Sequence, residues 1–141
     1  MDAFTKVTFF SFCPAIPREA KGIWMRRINS YLLGIDSGSD LLFADHETDG
    51  KMWAGKGARE VRKTLRFSAP YREAPHVMVS VSLWDTDHQT NQRIDITAEN
   101  ITTTGFDMVC RTWGDTRIAR IRADWTALGE VDRPQDDWVL Y

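Results

Sequence analysis

Cysteine is scarce: Cys13 and Cys110 are the only two among 141 residues, and they stand far apart in sequence. Cys13 also falls in a stretch without periodicity, so a disulfide scaffold is excluded and packing must hold the fold. Charge of one sign is equally lacking. The 18 basic and 20 acidic residues leave a formal net charge of -2, which gives no footprint for nucleic acid or another polyanion. No apolar run approaches the roughly 18 residues of a membrane helix, which excludes membrane insertion by a helical span. The apolar stretch Val7 to Cys13 is short for a secretory leader. It is followed by Pro14, Pro17 and Arg18 instead of a small-residue cleavage site, so no secretion signal is expected. Helical periodicity is missing as well, and a chain of this length has no room for a second full domain.

What is present is short, punctuated and aromatic. The hydrophobic fraction of 43% suffices for a sizeable core, and six Trp are many for this length. A Trp is placed economically only in a core, an interface or a flat stacking site. Residues 1–24 carry prolines and scattered charges without a sustained period and are expected to be peripheral, with Met25 a plausible start. From there apolar runs are separated by turn-forming clusters at Asp36-Ser37-Gly38-Ser39, Asp45 to Gly50, Ala69-Pro70, Asp85 to Asn91, Thr102 to Gly105 and Gly114-Asp115. Such spacing predicts an all-β sandwich or barrel.

The later runs alternate with period two. Val77, Val79, Val81 and Leu83 share one side, as do Ile94, Ile96 and Ala98, then Phe106, Met108 and Cys110, then Ala119, Ile121, Ala123, Trp125 and Ala127. The intervening residues, among them Arg93, Asp95, Asp107, Val109, Arg111, Arg120 and Arg122, are read as outward-facing in antiparallel sheets with one wet face. Weaker strands are expected at 30–36, 40–44 and 60–67. The sandwich proper is therefore placed at 25–129, with 130–141 a tail whose Trp138, Leu140 and Tyr141 dock on their own domain or on a neighbour.

Constellations for catalysis are thin. Asp45-His46-Glu47-Thr48-Asp49-Gly50 resembles the start of a calcium loop, but Lys56 falls where the bidentate carboxylate belongs. Asp85, Asp87 and His88 crowd one loop, where Asp side chains are expected to cap the turn instead of holding a metal. Cys110, on an inward strand face, reads as an inert packed thiol and not as the partner of His46, His76 or His88. Arg62, Arg66, Arg120 and Arg122 either form a basic stripe or a solvated face balanced by Glu60 and Asp124, and the second reading is preferred. No cofactor and no pair of catalytic carboxylates is indicated. Arg93 and Trp113 are more suggestive. Strands joined through the 102–105 turn bring both to one sheet edge, where paired donors and a flat apolar ring suit a sugar.

Taken together, Phe67-Ser-Ala-Pro70-Tyr71, Val79-Ser80-Val-Ser82-Leu83, Asp85, Asn91-Gln-Arg93, Asn100-Ile-Thr102-Thr-Thr104-Gly105-Phe106, Thr112-Trp113-Gly114-Asp115-Thr116 and Trp125-Thr-Ala-Leu128 resemble the H-type lectin domain of the snail-agglutinin and discoidin type. The match in order and spacing covers 60–128 and extends loosely back to about 29. The resemblance implies a six-stranded antiparallel β-sandwich without catalytic activity. It also implies a homotrimer or a homohexamer made of two trimers, binding galactose or N-acetylgalactosamine between protomers, and a role in cell adhesion or glycan attachment. The family's sugar-binding arginine falls on Arg93 and its aromatic on Trp113. Its carboxylate falls on Lys56, its snail-type histidine on Gly114, and a following tyrosine on Ala119. An ammonium in place of an acceptor reverses the local charge, leaving open an acidic sugar, or an assembly module of a surface or phage-like particle that binds no glycan.

Overall fold

The computed structural model describes residues 25–29 and 32–134. The peripheral extension 1–24, Cys13, and the aromatic end of the tail with Trp138, Leu140 and Tyr141 lie outside the described residues. Six strands form the domain: β1 (Leu33–Ala44), β2 (Arg59–Arg66), β3 (His76–Thr86), β4 (Asp95–Glu99), β5 (Gly105–Thr112) and β6 (Ile118–Glu130). Among the described residues one four-residue helix, α1 (Lys51–Ala54), lies between β1 and β2. The strands make two three-stranded sheets, β1-β6-β3 and β2-β5-β4, and every pairing is antiparallel. This is the six-stranded antiparallel sandwich that the resemblance implies, and it selects the sandwich from the two architectures that the period-two pattern allows.

Alternation places the core. Ile121, Ala123 and Ala127 of β6 are fully buried, whereas Arg120, Arg122 and Asp124 between them are exposed. Leu65, Phe67, Tyr71, Phe106, Met108 and Trp125 form one buried cluster. Its rings meet edge to face, Phe67 with Tyr71 at 5.1 Å and Phe106 with Trp125 at 5.4 Å between centroids, an arrangement contributing about 1 kcal/mol per pair beyond burial. A second cluster gathers Phe43, Met52, Cys110, Ile118 and Ile121. Asp45 caps α1 from outside the helix, its carboxylate accepting the Met52 N–H at 3.0 Å. The acidic turn thus supplies a missing helix cap.

Two expectations need correction. Asp36-Ser37-Gly38-Ser39 is not a turn but the middle of β1, so the strands expected at 30–36 and 40–44 are one continuous strand. The small polar residues are there for contacts: Asp36 accepts the Ser68 N–H at 2.7 Å and Ser39 donates to Asp124 at 2.6 Å. A Cβ on Gly38 would lie 2.6 Å from the Trp125 Nε1, so glycine is the only residue that admits the indole. Secondly, Val109 alternates outward as expected yet is fully buried, because Arg62 and Thr97 stand opposite it on the flanking strands. The preference for a solvated face over a basic stripe agrees with the sheets, since Arg62 and Arg66 belong to one and Arg120 and Arg122 to the other. Arg62 pairs with Glu60, Glu99 and Asp107 at 2.9 to 3.2 Å, and Arg120 with Asp85 at 3.1 Å.

Candidate carbohydrate site

The end of β5 carries the site. β4 and β5 pair with Asp95 opposite Arg111, and Arg93 and Trp113 lie just beyond this end of the ladder, two residues out on either chain. Two threonines fasten the loops beyond the ladder. Thr112 donates its hydroxyl to the Arg93 carbonyl at 2.6 Å, and Thr116 donates to the Asn91 carbonyl at 2.6 Å. Both threonines are buried, so their hydroxyls serve as internal fasteners.

Between them the chain turns through Gly114 and Asp115. Gly114 has φ +69°, a left-handed conformation that favours glycine. A Cβ there would also come within 3.1 Å of the Arg93 guanidinium. The turn at Gly114 therefore brings backbone close to Arg93. The Asp115 carboxylate accepts from Arg93 Nη1 at 2.7 Å and from Asn91 at 3.3 Å. Arg93 first, and Asn91 second, hold the Asp115 carboxyl below the usual carboxylate range. Arg93 is thus aimed by a partner before any ligand arrives, with its remaining donors available. Trp113 is 48% exposed beside it.

Lys56 reaches the same edge on the loop between α1 and β2. Its neighbour Gly57 donates its N–H to the Gly114 carbonyl at 2.9 Å, which ties the Lys56 loop to the Trp113 loop. The Lys56 side chain is exposed and has no hydrogen-bond or ion-pair partner among the described residues. The anchor of this loop is Arg59. It is 9% exposed and donates to the carbonyls of Gly57, Gly55, Gly114 and Thr116 at 2.7 to 3.3 Å. Burial lowers the pKa of its guanidinium, and the ring of carbonyls replaces the lost water. Ala119 lies apart from this edge, 5% exposed in β6, where its carbonyl accepts the Asp45 N–H at 2.7 Å.

Arg93, Trp113 and Gly114 therefore come together, with Lys56 on the adjoining loop. Asp115 and Arg59 were not foreseen as parts of the site. The signal for Asp115 was its place in the turn after Trp113, while nothing in the local sequence marks Arg59 as buried.

The other chemical candidates have structural employment. Asp87 accepts the Gln89 N–H at 2.9 Å and pairs with Arg117 at 3.2 Å, so it caps its turn. Arg117 lies 4.2 Å from the Trp53 ring centroid, a cation over an aromatic face. Cys110 is fully buried, and burial pushes its thiol up to about 12, which makes it a poor nucleophile.

The domain is thus a two-sheet antiparallel sandwich that holds the Arg93 guanidinium close to the exposed Trp113 at one sheet edge. The chain belongs to the H-type lectin domain family, whose profile matches residues 62–128. It is 53% identical over 108 residues to the Fuscovulum blasticum protein named ATP synthase subunits region ORF 7, covering 77% of this chain and 93% of that protein. It is 38% identical over 74 residues to a discoidin-1 chain of Dictyostelium discoideum, covering 52% of this chain but 29% of the relative. Among solved structures, discoidin II of the same organism superposes with a TM-score of 0.63 at 21% identity, over 74% of this chain and 40% of that one. This chain thus spans less than half the length of the discoidins it matches.

Proposed function

We propose that this protein is a non-catalytic lectin module that binds galactose or N-acetylgalactosamine type glycans at the Arg93 and Trp113 edge, as part of a homotrimer or homohexamer, and serves adhesion or glycan attachment. The observation that carries the reading is the pairing of Arg93 with Trp113. Arginine gives rigid paired donors to adjacent ring hydroxyls, and the indole covers the apolar face of a pyranose. Because Asp115 already orients the guanidinium, little rotamer entropy is left to lose on binding.

Assembly is supported by the outer face of β1-β6-β3, where Ile35, Met78 and Leu33 are 68%, 52% and 47% exposed. Ile35 stands opposite Leu128 on β6, which makes the apolar area continuous enough for a contact between protomers. Lys56 in place of an acceptor favours a second reading, an assembly module of a surface or phage-like particle that uses the fold without binding sugar. A glycan array with the purified oligomer separates the two, since multivalency makes weak sites visible. Binding that falls in both Arg93→Ala and Trp113→Ala, with the oligomer intact, supports the lectin reading. No binding by the wild type, and none gained by Lys56→Asp, favours the assembly reading.

A further inference from the structure

A groove of about 330 Å³ runs from Trp113 along β2-β5-β4, bordered by Ala58, Arg59, Glu60, Asp95 and Arg111, a volume at the lower end of the roughly 300 to 1,000 Å³ of small-ligand clefts. It begins where the Arg93 edge ends. Arg93 and Asp95 are alternate residues just before and at the start of β4, and Arg111 and Trp113 are alternate residues at the end of β5 and just beyond it. A ring stacked on Trp113 therefore has a continuous path along the sheet toward Asp95.

The electrostatics of the groove are uneven. Asp95 stands opposite Arg111 in register, where an ion pair across the strands would be expected. Arg111 is turned elsewhere: its Nε donates to Glu60 at 2.8 Å, its Nη1 to Thr97 at 3.3 Å, and its Nη2 pairs with Glu99 at 2.6 Å. Glu60 shares Arg62 as well, at 3.2 Å. Asp95 is left exposed, with no hydrogen-bond or ion-pair partner among the described residues. An ionised carboxylate accepts at both oxygens and donates nothing. At the floor of a groove walled by an indole, it selects a ligand that brings hydroxyl donors and an apolar face.

We propose that Asp95 and the groove beneath Trp113 form an extension subsite that seats a second, uncharged sugar ring through hydroxyls donated to Asp95. The assignment rests on the glycan reading above and deepens it. The subsite gives this chain an acceptor of its own on β4 where Lys56 offers none. It also disfavours acidic sugars, because a sugar carboxylate in the groove would face Asp95, which no cation offsets, while Arg111 and Glu60 neutralise each other and the Arg59 donors are taken by backbone carbonyls. The preferred ligand is a neutral disaccharide or longer glycan, and sialylated counterparts are disfavoured.

The test is titration calorimetry of the whole chain against galactose and N-acetylgalactosamine, neutral disaccharides containing them, and the sialylated forms of those disaccharides. Wild type is expected to bind the neutral disaccharides about tenfold more tightly than the monosaccharides, the scale of one charged hydrogen bond. Asp95→Asn removes most of that advantage and improves binding of the sialylated forms. These opposite changes would not follow from a loss of folding. Monosaccharides bound as tightly as disaccharides, or a selectivity unmoved by Asp95→Asn while Arg93→Ala still abolishes binding, overturns the subsite and leaves the lectin reading standing. No binding of any sugar by the wild type overturns both.

Discussion

Arg59 donates from Nη2 to the Thr116 carbonyl at 2.7 Å across 57 residues of sequence. This one bond joins the start of β2 to the loop behind Trp113. The same guanidinium holds the carbonyls of Gly55 and Gly57, so the Lys56 loop and the Gly114 turn hang from a single side chain. Arg59→Ala would leave these carbonyls without their donor. It is expected to cost roughly 3 kcal/mol of unfolding free energy, read in urea denaturation. Arg59→Lys should recover only part, since an ammonium has no planar fork. A loss below 0.5 kcal/mol for the alanine variant, the range of an ordinary surface substitution at about ±0.5 kcal/mol, would show that the loops hold without it.

Gly38 is fixed by Trp125 and not by a turn. A methyl at this position would lie within 2.6 to 2.9 Å of three atoms of the rigid indole. Gly38→Ala is therefore expected to destabilise by about 1 to 3 kcal/mol through overpacking and to shift the Trp125 environment in near-ultraviolet circular dichroism. Unchanged thermal stability would mean that β1 can move away from the indole at no cost.

Acid should loosen the β2-β5-β4 face. Arg111 and then Arg62 hold Glu99 below its ordinary value of 4.5, and Asn100, Thr64 and Arg62 do the same for Asp107. A lowered folded-state pKa gives stability that is complete above the unfolded pKa and disappears as pH falls through the folded value. The melting temperature should therefore change little through this network from neutral pH down to about 4.5 and fall below it. Glu99→Gln should remove part of the acid-sensitive step. A profile for this variant that overlies the wild type at all pH values would refute the assignment.

The Cys110 thiol should be silent in the folded protein. Burial, with a smaller contribution from Asp95, pushes it up to about 12, so little thiolate exists at pH 8 and access is closed. In a Cys13→Ser background, a disulfide reagent should find no reactive thiol in the native state and full reaction in denaturant. Rapid native labelling would show that the second core cluster opens.

Much of the fold was legible because strand physics is local. Alternation along 77–81, 106–111 and 119–127 assigns most side chains a face, whereas a bulge between Val81 and Leu83 sets Leu83 opposite the outward Arg122, which the period-two reading did not show. The juxtaposition of Arg93 and Trp113 was legible for the same reason, since the 102–105 turn sets the pairing of β4 with β5. The middle of β1 was misread because Asp, Ser and Gly are turn formers locally. Their use in a strand depends on Trp125, Ser68 and Asp124, which are distant in sequence.

By itself the sequence determined the sheet class, the inward residues of β5 and β6, and the edge at which Arg93 meets Trp113, because period-two burial and short connections leave one consistent arrangement. Only the tertiary structure decided that Val109 is buried on the outer face, that Arg59 ties the Lys56 loop to the Gly114 turn, and that Asp115 has a cationic partner while Asp95 has none. These outcomes depend on which charged groups lie within a few ångströms of one another across strands. A guanidinium reaches several acceptors at once, and only the packed sheets decide which of them it takes.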